Sequence, residues 1–239
     1  MSSTPITDPS TSPAASVASV TTKPTIFALE LDDGGTFDYG MYGGLVSALN
    51  AGAQLEKFTS TDAALTYLTS PTTKKPSVIL AIDAGATDPN HAAILPHLTG
   101  YVRAGGTLIF CCSFSGYAPM GSLGTFFQSA FSLPWTMASY HRTTFALNGS
   151  ALRRVTRVGA LSPRYSMKGV HLGGVEQKDR VYVPCAGARV QSWVFAPERV
   201  DRDETAVAWA EVGEGMVGYV ADVNAEPEST EIVLSMCGL

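Results

Sequence analysis

The sequence is poor in charge: Asp, Glu, Lys and Arg make up 15% of its 239 residues, against 45% hydrophobic ones. Such a balance predicts a globular protein with much of its sheet covered by helices. The four cysteines, Cys111, Cys112, Cys185 and Cys237, show no CxxC or Cys/His spacing of a zinc site, and neighbours such as Cys111 and Cys112 rarely pair with each other. No apolar run approaches the roughly 20 residues of a membrane span. A GxxxxGK[ST] phosphate loop is absent, and Gly34-Gly35 and Gly43-Gly44 do not form a dinucleotide fingerprint. The net charge of −5 argues against nonspecific nucleic-acid binding. The N-terminus lacks a basic segment followed by an apolar one, which argues against a secretory signal. These absences predict a soluble, cytoplasmic protein with reduced thiols, no cofactor and no metal, although Asp32, Asp33 and Asp83 would suit a divalent cation if they proved close.

What is present begins with a tail. Residues 1–23 are almost wholly Ser, Thr, Pro, Ala and Val without periodicity, and read as disordered. Residues 24–239 read as one α/β domain. Strands read at Pro24–Leu31, at Gln54–Phe58, at Ser77–Ile82 and after Gly105-Gly106 alternate with helical stretches at Tyr42–Asn50, Asp62–Leu68 and Asn90–Arg103. Strands alternating with helices of this length argue a doubly wound fold with right-handed crossovers. A further helix is predicted over Gly124–Phe131. Beyond Pro134 the texture changes to short strands, at Thr143–Leu147, Met167–Leu172, Val181–Val183, Val190–Phe195, Ala206–Glu211 and Met216–Ala221, and the last helix covers Ser229–Met236. The expected fold is a three-layer, flavodoxin-like (doubly wound), mostly parallel sheet with antiparallel strands added in the C-terminal half.

The organising stretch runs from Gly105 to Gly116. Two glycines release a helix, an apolar run makes a buried strand, and Cys112, Ser113 and Ser115 follow at its end. In an open parallel sheet, ligands bind beyond the carboxyl ends of the strands. Asp32, Asp83, Cys112, Ser113, Ser115 and the tract Asp222–Glu226 all follow strands and are expected to share one rim. The bland reading is that small polar residues there cap helices and make turns. Cys112 is the nucleophile candidate, since a thiolate at a helix N-terminus has a lowered pKa. His141 is the candidate base, in a loop overhanging the rim, whereas His171 is expected mid-strand. The acid-free run with Arg142, Arg153, Arg154, Arg157, Arg164 and Lys168 either receives an anion or pairs with distant acids.

The tract Leu98–Ile109 resembles the helix-Gly-Gly-strand entry to the active-site elbow of class I glutamine amidotransferase-like domains, including their ThuA-like branch. Ala206–Val220 is similar to that family's strand, G-x-G, strand run. In glutaminases of this family, an elbow G-x-C-x-G supplies the cysteine and a later His-Pro-Glu completes the triad. This chain instead reads Cys112-Ser113-Phe114-Ser115-Gly116 and Asn224-Ala225-Glu226. Asn cannot accept and return a proton near neutral pH, so the resemblance implies a fold without glutaminase activity. The first expectation is therefore a binding module. It takes a small polar molecule or protein partner at a pocket lined by Cys112, Ser113, Ser115, Asn224 and Glu226, with Asp32 and Asp83 at the edge. The alternative is a hydrolase using Cys112 or Ser113, with His141 or Glu226 as base. A third is an assembly role through exposed aromatics around Phe126–Trp135, homo-oligomerisation included.

Overall fold

The computed structural model describes residues 23–155, 158–192, 194 and 196–239. All but Lys23 of the expected tail lies outside them, as do Arg157 of the arginine run and Trp193 and Phe195 of the strand expected at Val190–Phe195.

Among the described residues, nine strands form one sheet: β1 (Thr25–Leu29), β2 (Gln54–Phe58), β3 (Val78–Ala81), β4 (Thr107–Phe110), β5 (Thr136–Leu147), β6 (Arg164–Gly173), β7 (Arg180–Pro184), β8 (Val207–Val212) and β9 (Gly215–Val220). Their order is β2-β1-β3-β4-β9-β8-β7-β5-β6. The first five are parallel, in the 2-1-3-4-5 sense of flavodoxin-like folds. The four pairings from β9 through β8, β7 and β5 to β6 are antiparallel. The sheet is therefore mixed in equal measure, because the chain after residue 134 supplies hairpins rather than crossover helices. β3 and β4 (VILA and TLIF) are apolar on both faces, and only Thr107 of the two is not fully buried.

The helices are α1 (Gly43–Gly52), α2 (Thr61–Thr69), α3 (Leu95–Arg103), α4 (Phe114–Tyr117), α5 (Leu123–Phe131) and α6 (Pro227–Met236). Ser60 caps α2 by accepting from the Ala63 amide. The single helix expected over Asn90–Arg103 is two pieces, a 3-10 turn at Pro89–Ile94 and then α3. Pro96 has no amide to donate, so the regular helix starts around it. Gly105, at φ 102°, ends the descent from α3 and feeds β4. No helix among the described residues is long and apolar enough to cross a membrane.

Two expectations are corrected here. His141 is not in a loop: it lies in β5, opposite Gly169 of β6. The aromatics of Phe126–Trp135 are not an exposed surface either. Phe127, Phe131 and Trp135 are buried, and Phe126 packs partly buried against the core, because Phe110 gathers the rings of Phe114, Phe126, Phe127 and Phe131 around itself.

The β5–β6 ribbon folds back over the end of the parallel half. Gly169 bridges Asp222, and Leu172 bridges Thr205, so β6 touches the chain on both sides of the β8–β9 hairpin.

Candidate functional site

Because β1, β3, β4 and β9 are parallel neighbours, the segments that follow them open on one edge of the sheet. Asp32, Asp83, Cys112 and Asp222 stand there. Cys111 is still tied to the sheet, its amide donating to the Ala81 carbonyl at 3.1 Å. Cys112 then turns the chain at φ 59°, a conformation a side-chain-bearing residue rarely adopts, and α4 follows two residues later. The turn is pinned by the Ser113 amide on Ile82 O at 3.0 Å and by Ser113 Oγ on Thr36 O at 2.9 Å.

Cys112 is 5% exposed, and its Sγ stands 3.6 Å from Cys111 Sγ. Burial, followed by the neighbouring Cys111 and the Asp222 carboxylate, pushes it well above the usual thiol range. It lines a cavity of about 120 Å³ together with Thr36, Asp38, Tyr42, Ser113 and Tyr117. Asp38 and Tyr42 come from the loop between β1 and α1, where sequence reading had marked only Asp32 and Asp33. The Asp38 carboxylate is anchored by the Gly40 and Met41 amides. Burial pushes the Tyr42 hydroxyl far up, so it is a neutral donor at any physiological pH.

The other expected residues are held by internal partners. Asp83 accepts from the Asp32 and Gly85 amides, each at 3.0 Å, and burial raises its carboxyl in spite of them. The Asp32 carboxylate accepts from the Gly34 amide and the Thr36 hydroxyl. Ser115 is fully buried, donating to Ala221 O at 2.9 Å, and so ties α4 to the end of β9. Asp222 accepts from the amides of Asn224 and Glu226 and organises the loop before α6. Asn224 and Glu226 turn to Arg142 of β5: Nη2 lies 2.5 Å from Glu226 Oε1 and, with the amide oriented to satisfy its partners, 2.7 Å from the Asn224 oxygen. Arg142 is thus a rim residue that the sequence suggested only as one of a basic run. Arg153 pairs with Asp179 and Arg154 stands by Glu211, so distant acids take up these cations.

No histidine lines the Cys112 cavity. His141 and His171 face each other across β5 and β6, with Glu204 between them. His91 bonds Thr61 Oγ1 at 2.8 Å, and His97 lines a larger cavity of about 570 Å³ near the amino ends of β3 and β4. That cavity, walled by Leu68, Pro76, Tyr101 and Gly106, holds no cluster of reactive groups and lies away from the rim.

No protein-family model matches the sequence, and no curated protein matches it either. Solved structures do match over nearly the whole chain. A protein described as ThuA-like from Parabacteroides merdae shares 9% identity at a TM-score of 0.51, covering 91% of this chain and 89% of its own. A second, also described as ThuA-like, from Bacteroides uniformis shares 11% at 0.52, with 90% and 89% covered. A cytoplasmic protein of Salmonella typhimurium shares 12% at 0.53, with 89% and 94% covered. The chain therefore has the fold of these ThuA-like proteins. Identities this low speak for the fold alone.

Proposed function

We propose that this is a glutamine amidotransferase-like protein without a working Cys-His-Glu triad, whose rim binds a small polar ligand or a protein partner. The observation that carries the reading is the Cys112 thiol: it is buried, its pKa is raised, and its cavity holds no imidazole. A thiol in that state is a neutral, weak nucleophile. The ligand groups are Cys112 and Ser113 with Asp38, Tyr42 and Tyr117 around them. Asp32, Asp83, Ser115, Asn224 and Glu226 shape the hollow from behind. Packing of α1 on α6, and of α3 on α2 and α5, supports a three-layer doubly wound arrangement in which residues 24–239 act as one unit. The free cysteines fit a reducing, cytoplasmic setting, and the net charge of −5 disfavours nucleic acid.

A second reading, hydrolysis by Cys112 or Ser113, is favoured by one feature. The φ of 59° at a strand-to-helix turn is the strained elbow on which such folds present a nucleophile. Its base would have to be His141 or Glu226, and these are engaged with Glu204 and Arg142. Turnover of glutamine and of an activated ester by the purified chain and by Cys112→Ala separates the two. The binding reading expects no rate above background for either protein. Turnover that disappears in Cys112→Ala establishes the hydrolase.

A further inference from the structure

We propose that His141, His171 and Glu204 form a zinc site, set apart from the Cys112 cavity and independent of how that cavity is read. The two histidines lie on one face of the β5–β6 ribbon, where His141 pairs with Gly169 and His171 with Ser139. Glu204 is delivered by the segment before β8, next to Thr205, whose amide and carbonyl bond the Leu172 backbone. Three separate stretches of chain thus bring three metal-ligating side chains to one point.

The distances suit a cation better than a hydrogen bond. Glu204 Oε1 is 3.4 Å from His141 Nε2 and 3.4 Å from His171 Nδ1. A direct N–H···O bond is shorter, about 2.7–3.2 Å. Two donors bound to zinc at about 2.1 Å and set at the tetrahedral angle stand roughly 3.4 Å apart. The two rings meet edge to face with centroids 4.6 Å apart, and one ligand atom from each of the three residues falls within 4.8 Å of the others.

His141 Nε2 is also buried without a hydrogen bond, and the side chains of His171 and Glu204 are 0% and 3% exposed. Buried polar atoms in folded proteins are nearly always satisfied, so an orphaned nitrogen facing a buried carboxylate calls for an occupant. Ser139 supplies the outer support through Glu204 Oε2, to which its hydroxyl donates; the same hydroxyl lies 3.1 Å from His171 Nδ1 and would give way to the metal there. Two imidazoles and one carboxylate are a zinc donor set that leaves the fourth tetrahedral position to water or a ligand. The His141 side chain, 13% exposed, marks the way in.

Zinc and cobalt(II) titrations of the chelator-treated full-length chain test the proposal, beside Glu204→Gln and His141→Gln. Loss of an outer-shell partner alone typically weakens metal sites about 10–100-fold. The wild type is expected to bind one zinc, to melt at a higher temperature with it, and to give the visible ligand-field band of tetrahedral cobalt. Each variant is expected to bind at least about tenfold more weakly and to show no zinc-dependent shift in melting. His141→Gln, at the partly exposed edge, serves if Glu204→Gln does not fold. Absence of stoichiometric binding by the folded wild type overturns the site. So does undiminished binding by a folded variant, or a sulfur-to-cobalt charge-transfer band, which would put the metal on a thiol.

Discussion

Cys112 illustrates how far a residue can be read from its neighbours. That it ends a buried strand was legible, because an apolar run gives way there to small polar residues. Its thiol state was not: proximity to a helix start argued for a lowered pKa, and burial wins instead. α4 has only four residues, too short to set up much of a dipole against full desolvation. Asp83 poses a similar contest. Desolvation raises its carboxyl above the ordinary 3.8 although two amides donate to it. The folded chain thus holds that proton more tightly than the unfolded one, so the stabilisation from protonation is full below 3.8 and is lost as pH rises through the raised folded value. Asp83→Asn keeps the shape but leaves the Asp32 or Gly85 amide without its acceptor. It is expected to be less stable than wild type by ~1–2 kcal/mol near pH 4, with the deficit narrowing toward neutral pH, as read from urea midpoints.

Among the elements, those set by local pattern were the legible ones. β2 and α2 fall where the strand and helix patterns put them, and Ser60 caps α2. β5 was half missed: its first seven residues, Thr136–Arg142, carry Ser, Tyr, His and Arg and read as a loop, yet they pair along β6. Exposed and half-buried positions alternate there, and a polar ribbon with that period is a strand. Among the described residues of the stretch expected as a strand at 190–195, the Val190 and Gln191 amides bond the Glu198 and Arg142 carbonyls, beside an isolated bridge from Arg189 to Arg199. His141, His171 and Glu204 were invisible as a set for a related reason. No spacing links residues 30 and 33 positions apart until β5, β6 and the Thr205 segment are folded together. The joint between that ribbon and the rim is Gly169, where an added Cβ would come within 2.5 Å of Ala221 O. Gly169→Ala is expected to push β6 from the Asp222 loop and to cost more than ~2 kcal/mol, as overpacking against backbone does. A thermal midpoint unchanged from wild type would show that the ribbon docks elsewhere.

At the scale of the whole molecule, one sheet serves two purposes. Its parallel half aligns Asp83, Cys112 and Asp222 on a single edge, as the alternation of strands and helices led one to expect. Its antiparallel half, which sequence pattern presented as a handful of short strands, returns over that edge and brings Arg142 to Asn224 and Glu226. Such a return is non-local pairing, and nothing in the order of residues announces it. The account therefore rests on the chemistry of one buried sulfur at the meeting of the two halves. Timed alkylation of the folded chain by iodoacetamide near pH 7.5, with each cysteine followed by peptide mass spectrometry, tests that most directly. Half-buried Cys185 is expected to react first, and Cys112 to react only after unfolding. Selective, rapid modification of Cys112 at that pH would mean an activated thiolate and would contradict the account.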